Sequence, residues 1–196
     1  MKLPAAAVCF LGLLSACATG RPDHFYILST LPAGAAGART EPFAQATLKV
    51  TLPSLVDRAE MVLNTSTDGV VILEHERWAA PLSDLVGQAL AGDIERRRSD
   101  LLVARPGGNG ARDPAVRIEV DIVQMTVHRG GHASIEAQWR IQNTRTGVTS
   151  TGVRLAGSGE FSAAVGAVDY ADVAKALSES LGMLADRLTA QIPHPE

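Results

Sequence analysis

Only two cysteines occur, Cys9 and Cys17, and everything after residue 17 is free of thiols. The main body of the chain therefore has no disulfide, no thiolate metal site and no cysteine nucleophile. Basic residues are not in excess: 18 Lys and Arg stand against 21 Asp and Glu, a net charge of −3. That balance argues against nucleic acid as a partner, which calls for a clustered basic face. No apolar run approaches the ~20 residues that a membrane-spanning helix needs. Hydrophobic residues make up 46% of the chain, enough to build a core and too many for global disorder. No internal repeat is visible.

What the sequence does contain begins at its start. Lys2 precedes an apolar run from Leu3 to Leu14, followed by Ser15, Ala16 and Cys17. A positive start, a short apolar middle and small residues at the end are the layout of a secretory signal. Leu14-Ser15-Ala16-Cys17 also resembles the lipobox of bacterial lipoproteins. That resemblance implies cleavage before Cys17, two acyl chains on its sulfur and a third on the new amine. Two or more chains give stable membrane attachment where one would be marginal. The residue after Cys17 is Ala18 rather than aspartate, which in bacterial lipoproteins implies the outer membrane. The expected organisation is a signal peptide over residues 1–16, a lipidated tether over 17–23 and one domain over 24–196, a size that suits a single core.

Within that domain, His24 to Ser29 is rich in aromatic and branched residues and predicts a strand. Pro32, Gly34, Gly37 and Pro42 make the segment from Leu31 to Gln45 a loop. Leu48 to Leu52 alternates apolar and polar, as a half-buried strand does. Glu60–Leu63 and Val70–Leu73 are two short strands around an Asp68-Gly69 turn. Pro81 opens a helix in which Leu82, Leu85, Val86, Ala89, Leu90 and Ile94 share one face. Ser83, Asp84, Gln88, Asp93 and Arg96 are expected to lie mostly away from that face. Leu101–Ala104 is a short strand, and Pro106–Pro114 a glycine-rich loop. Val116–His128 and His132–Gln142 form a hairpin across Gly130-Gly131, a two-residue loop that sets Ile122 against Trp139 and Val120 against Ile141. A third strand, from Val148 to about Phe161, follows a three-residue loop with Gly147 left-handed. It sets Val153 against Trp139 and Leu155 against Ala137. The last helix, about Asp169–Gln191, carries Val173, Leu177, Leu181, Leu184 and Leu188 on one stripe. The fold class read from this order is α+β, a two-layer domain whose largely antiparallel sheet carries two amphipathic helices on one face.

Four features taken together resemble the ABC-type transport auxiliary lipoproteins, the PqiC-like family of paraquat-inducible membrane-integrity systems. They are the lipobox, His24-Phe25-Tyr26-Ile27-Leu28, the segment from Leu52 through Asp57-Arg58 to Val62, and Glu76-Arg77-Trp78-Ala79-Ala80-Pro81-Leu82. Family members often carry an arginine shortly after the Asp-Arg pair, where this chain has Asn64. The resemblance implies an outer-membrane lipoprotein facing the periplasm. Its partner would be an MCE-domain protein of the inner membrane, in a system that moves lipids or other hydrophobic compounds. On that reading the chain is a non-catalytic, homo-oligomeric docking subunit without a cofactor. The alternative is a lipoprotein that itself holds a lipid or hydrophobic small molecule, which an apolar cavity between sheet and helices would favour.

No catalytic or metal constellation stands out. His75-Glu76 lacks the second histidine of a zinc-protease motif, since Ala79 and Ala80 occupy its place. Gly107-Gly108-Asn109-Gly110 lacks the Lys and Ser/Thr of a phosphate loop. Gly157-Ser158-Gly159 lacks the frame of a nucleophile elbow. The candidate functional residues are Cys17 for lipidation, and Arg77, Trp78, Val123, Met125 and Val127 for contact with a partner or a second copy. Arg77-Trp78 has two readings: a structural one, with Trp78 packed under the first helix, and a contact one, because Trp and Arg are enriched in interfaces. Val123, Met125 and Val127 also have two. The apolar phase changes after Ile122, so either a β-bulge near Ile122-Val123 turns these side chains inward or they form an exposed apolar stripe.

Overall fold

The computed structural model describes residues 21–31, 44–65, 68–104, 113–128, 131–160, 163–164 and 167–194. The signal sequence, Cys17 and most of the expected loops at 31–45 and 106–114, with Gly107–Gly110, lie outside the described residues. The elements in order are β1 (His24–Tyr26), β2 (Ala44–Thr51), β3 (Glu60–Asn64), β4 (Val70–Trp78), α1 (Leu82–Arg97), β5 (Leu101–Ala104), β6 (Val116–His128), β7 (His132–Asn143) and β8 (Thr149–Glu160). The two-residue strands β9 (Ala163–Ala164) and β10 (Ala167–Val168) and the helix α2 (Tyr170–Thr189) complete it.

The long antiparallel meander β6–β7–β8 is the body of the sheet. The other edge of β6 is shared. Its first half pairs parallel with β2, which carries β5, and its last residue, His128, pairs with Asn64 of β3, which carries β4 and then β1. The parallel additions were not foreseen. Both helices cover one face, as expected of an α+β two-layer fold. The core lies between them and Leu48, Leu63, Ile118, Val120, Ile122, Ile135, Trp139 and Ile141 of the sheet.

Local chemistry explains the helix limits. Asp169 caps α2 by accepting the Ala171 N–H at 2.9 Å, and the expected stripe of Val173, Leu177, Leu181, Leu184 and Leu188 is buried along its whole length. Pro81 precedes α1, and the Asp57 carboxylate accepts the Ser83 N–H at 3.2 Å from a neighbouring turn. At the other end of α1 the buried Arg98 is held by both oxygens of Asp100, each at 2.8 Å. It also donates to the carbonyls of Ile192 and Pro193 and so ties α1 to the chain beyond α2.

Both meander registers differ from those expected, for identifiable reasons. His128 pairs with His132, so the first connection has three residues, and Gly131 takes a φ of 91° while donating to the His128 carbonyl. A β-bulge at Val123 adds one more residue. The two shifts sum to two residues: Val120 faces Trp139 and Ile118 faces Ile141, on the same side of the sheet as expected. In the second connection Asn143 accepts from the Arg145 and Thr146 N–H groups through its side chain, building a four-residue turn in which Gly147 takes a φ of 72°. This single-residue shift puts Gly152, not Val153, opposite Trp139, and Arg154, not Leu155, opposite Ala137. A second bulge at Ile135/Glu136 then restores the original phase, so that Ile135 pairs with Gly157.

Gly152 has a packing role. A Cβ there would collide with the six-membered ring and Nε1 of Trp139. The indole therefore packs against Gly152 and donates from Nε1 to the Gln191 side chain at 3.2 Å. Trp139→Ala is expected to cost ~3–5 kcal/mol. Gly152→Ala is expected to cost ~1–3 kcal/mol by overpacking. Urea unfolding of both variants checks this; a Gly152→Ala protein as stable as the wild type would show that the indole has another seat.

The bulge at Val123 also settles the phase change. Val123 stays outside at 44% exposure, while Met125 and Val127 turn into the core at 8% and 6%. They are not an exposed stripe. Met125→Glu should consequently abolish folding, seen as loss of the cooperative unfolding transition, rather than leave a folded domain that merely fails to associate.

Candidate docking surface

With both helices on one side, the other face of the sheet is open. On it Lys49, Glu119, Arg140 and Thr151 stand side by side in register across β2, β6, β7 and β8, next to a row of Thr51, Asp121 and Gln138. They line an open depression of about 380 Å³ whose floor includes Val120, Trp139 and Gly152. Acidic and basic side chains alternate along the row, and Thr51 donates to Asp121 at 2.5 Å. Charged and polar side chains rim the depression, and Val120, Trp139 and Gly152 contribute to its floor.

Farther along the sheet, Asp23 bonds His75 at 2.9 Å and Arg77 at 3.5 Å. Arg77 also reaches Glu60, which Arg58 holds at 3.0 Å. These two arginines and two neighbouring carboxylates bind the start of β1 and β3 to β4. The hydrogen bonds from His75 and Arg58 hold the Asp23 and Glu60 carboxyls below the usual carboxylate range. Trp78 is buried and lines a crevice with Leu82, Met125, Val127, Val173 and Leu177. Of the pair Arg77-Trp78, then, Trp78 is core beneath the start of α1, and Arg77 is a partly exposed ion-pair partner.

The crevice beside Trp78 measures about 20 Å³, room for roughly one water molecule. Among the described residues the sheet–helix interior shows no lipid-sized space there. His75 and Glu76 do not act together: His75 turns to Asp23, while the buried Glu76 accepts from the Tyr26 hydroxyl at 2.7 Å and from His24 Nδ1 at 3.2 Å. Burial and the Glu76 carboxylate push the Tyr26 hydroxyl well above its usual range. Among the described residues no three His, Cys, Asp or Glu gather closely enough to hold a metal ion. Asn64, the position where the family resemblance departs, accepts the Val127 N–H at 3.2 Å and so joins β3 to β6.

The segment after β1, expected to continue the strand to Ser29, leaves it at Tyr26 and connects the helices. After β1 the chain crosses the groove between α1 and α2. The Ser29 N–H donates to Ser178 Oγ at 3.0 Å, Thr30 lies against Gly92, and Leu31 lies against Gly182. The Leu31 N–H donates to Asp93 Oδ1 at 2.8 Å, and Arg96 donates to the Leu31 carbonyl. This strap corrects the expectation for Asp93, which is fully buried because Leu31 covers the far side of α1. Small residues at 92, 178 and 182 on the outer helix surfaces were the available clue.

Asp93 Oδ2 is buried without a hydrogen-bond partner. Burial raises the Asp93 pKa, against the opposing pull of the Leu31 N–H and Arg97. The folded protein therefore binds a proton at Asp93 in a range where the unfolded chain has released it. Stability contributed by the neutral acid is lost as pH rises from the ordinary carboxylate range through the raised folded value, and regained on acidification. Asp100 works in the opposite sense: Arg98 lowers its pKa, so its contribution is lost as pH falls. Asp93→Asn keeps an acceptor for Leu31 and removes the charge. Relative to wild type it should be at least as stable at neutral pH, with that advantage shrinking as pH is lowered into the carboxylate range. Denaturant midpoints measured across pH for both proteins test this, and a constant difference between them would contradict it.

Comparison with known proteins follows the same lines. A sequence model described as ABC-type transport auxiliary lipoprotein component matches residues 26–189. The fold is similar to the crystal structure of an uncharacterized protein, with a TM-score of 0.66 and 15% identity, over 88% of this chain and all of that one. It is also similar to protein XCC0632 from Xanthomonas campestris, with a TM-score of 0.57 and 15% identity, over 86% of this chain and 93% of that one. A search of curated proteins gives no significant match.

Proposed function

Because the chain belongs to the ABC-type transport auxiliary lipoprotein family, whose pattern spans residues 26–189, we propose that it is the outer-membrane docking subunit of an MCE-type lipid transport system. The family makes it a membrane-anchored periplasmic component of a transporter. The finer reading adds acylated Cys17 as the anchor, the outer membrane as its site, an MCE-domain protein as its partner, and a non-catalytic role.

Among the described residues, what supports docking over carriage is the small space beside Trp78. The crevice of about 20 Å³ between sheet and helices is far below the several hundred Å³ of a ligand site. The cavity reading has no support there. The open charged row from Lys49 to Thr151 supplies a surface for a partner instead. Phe25 in the edge strand β1 and Ile27 just after it, 64% and 60% exposed, are placed for contact with a second copy.

Lys49→Glu combined with Arg140→Glu should weaken capture of the MCE-domain protein by about tenfold or more while the domain unfolds as cooperatively as the wild type. Undiminished capture would move the docking site elsewhere, and a strictly monomeric protein that ignores the partner would remove the docking reading. In cells, the wild type is expected in outer-membrane fractions as an acylated chain by mass spectrometry. Cys17→Ser should accumulate unprocessed or in the soluble periplasm; a functional, normally processed soluble form would remove the anchor.

A further inference from the structure

Three consecutive large apolar residues are exposed at one end of the sheet: Val70, Val71 and Ile72, at 41%, 37% and 42%. They open β4, and β1 covers that strand only from Glu76 to Trp78. Strand polarity locates this end. β6 runs toward His128, β3 runs parallel to it and ends at Asn64, and β4 returns antiparallel from Val70. The Val70 end and the β6–β7 turn therefore share one end of the domain, and the β7–β8 turn with Val148 occupies the other.

The chain before β1 departs toward that same end. β1 is parallel to β4, so moving upstream from His24 means moving from Glu76 toward Val70. Asp23 already follows this course, since its carboxylate bonds His75. Chain length allows this course. Seven residues separate Cys17 from His24 and span at most about 24 Å when extended. The run along β4 from Glu76 to Val70 is about 20 Å, which the tether covers.

We infer that the Val70–Ile72 end of the sheet is a membrane-contact surface, seated on the lipid bilayer that holds the acyl chains of Cys17. This rests on the anchor reading of Cys17. The three β-branched side chains enter the boundary between headgroups and acyl chains, and the ladder of β1 with β4 stops at His24, which leaves this end of β4 unpaired by the tether. The β7–β8 turn points away from the membrane, toward the periplasm.

The test uses the full, processed chain in vesicles of phosphatidylethanolamine and phosphatidylglycerol. Acylation blocks the Cys17 sulfur, so a cysteine introduced at Ile72→Cys, Val70→Cys or Val148→Cys is the single free thiol for an environment-sensitive fluorophore. Brominated lipid should quench the label at 72 and at 70 by about threefold or more, as expected for a side chain ~5–10 Å into the boundary. The label at 148 should be unaffected. A floated protein in which neither 72 nor 70 is quenched, or in which 148 is quenched as strongly, overturns the contact surface and leaves the anchor intact. A chain that carries no acyl groups and does not float with the vesicles overturns the anchor reading and the contact surface with it.

Discussion

The structure depends on keeping one unbroken apolar face along the β6–β7 pair. Ile118, Val120, Ile122, Met125 and Val127 on one strand, and Ala133, Ile135, Ala137, Trp139 and Ile141 on the other, must all point toward the helices. A strand alternates with a period of two, so any odd insertion would turn part of that face into solvent. The protein contains such insertions and compensates for them. The extra residue in the β6–β7 turn is matched by the bulge at Val123, and the longer β7–β8 turn by the bulge at Ile135/Glu136. Where the phase is temporarily displaced, the residue opposite Trp139 is Gly152, which has no side chain and admits the indole. α2 needs nothing beyond its leucine stripe to lie across this face.

This explains how much could be read in advance. Periodicity is local, so α1, α2, β6 and β7 were legible, as were the left-handed Gly147 and the alternatives at Ile122-Val123. Register is not local. It depended on whether Asn143 would recruit the Arg145 and Thr146 N–H groups, a choice between two turn chemistries that the same residues permit. Parallel pairing was also beyond reach: β2 and β6 meet across a long stretch of chain, and neither carries a mark of its partner. Among the candidate site residues, Trp78, Met125 and Val127 proved to be core. An apolar side chain looks the same in a sequence whether it faces helix or solvent. Asp93 showed the converse: its helical position pointed it to water, and only the strap from a distant segment buried it.

The distribution of polarity bears on function. The inner face of the sheet is spent on packing, with about 20 Å³ beside Trp78. The outer face is left to alternating charges in a shallow depression.

The strap across the helices also sets a schedule. Ser29 reaches Ser178, 149 positions farther along the chain, and Thr30 and Leu31 rest on glycines from both helices. A chain delivered across a membrane from its N-terminus exposes the strap first and α2 last. The groove that receives the strap does not exist until the final helix has emerged and docked, so closure is a late event with a large loop to search. The strap stays unlatched until α2 has formed and docked, so the start of the domain is among the last parts to be fixed.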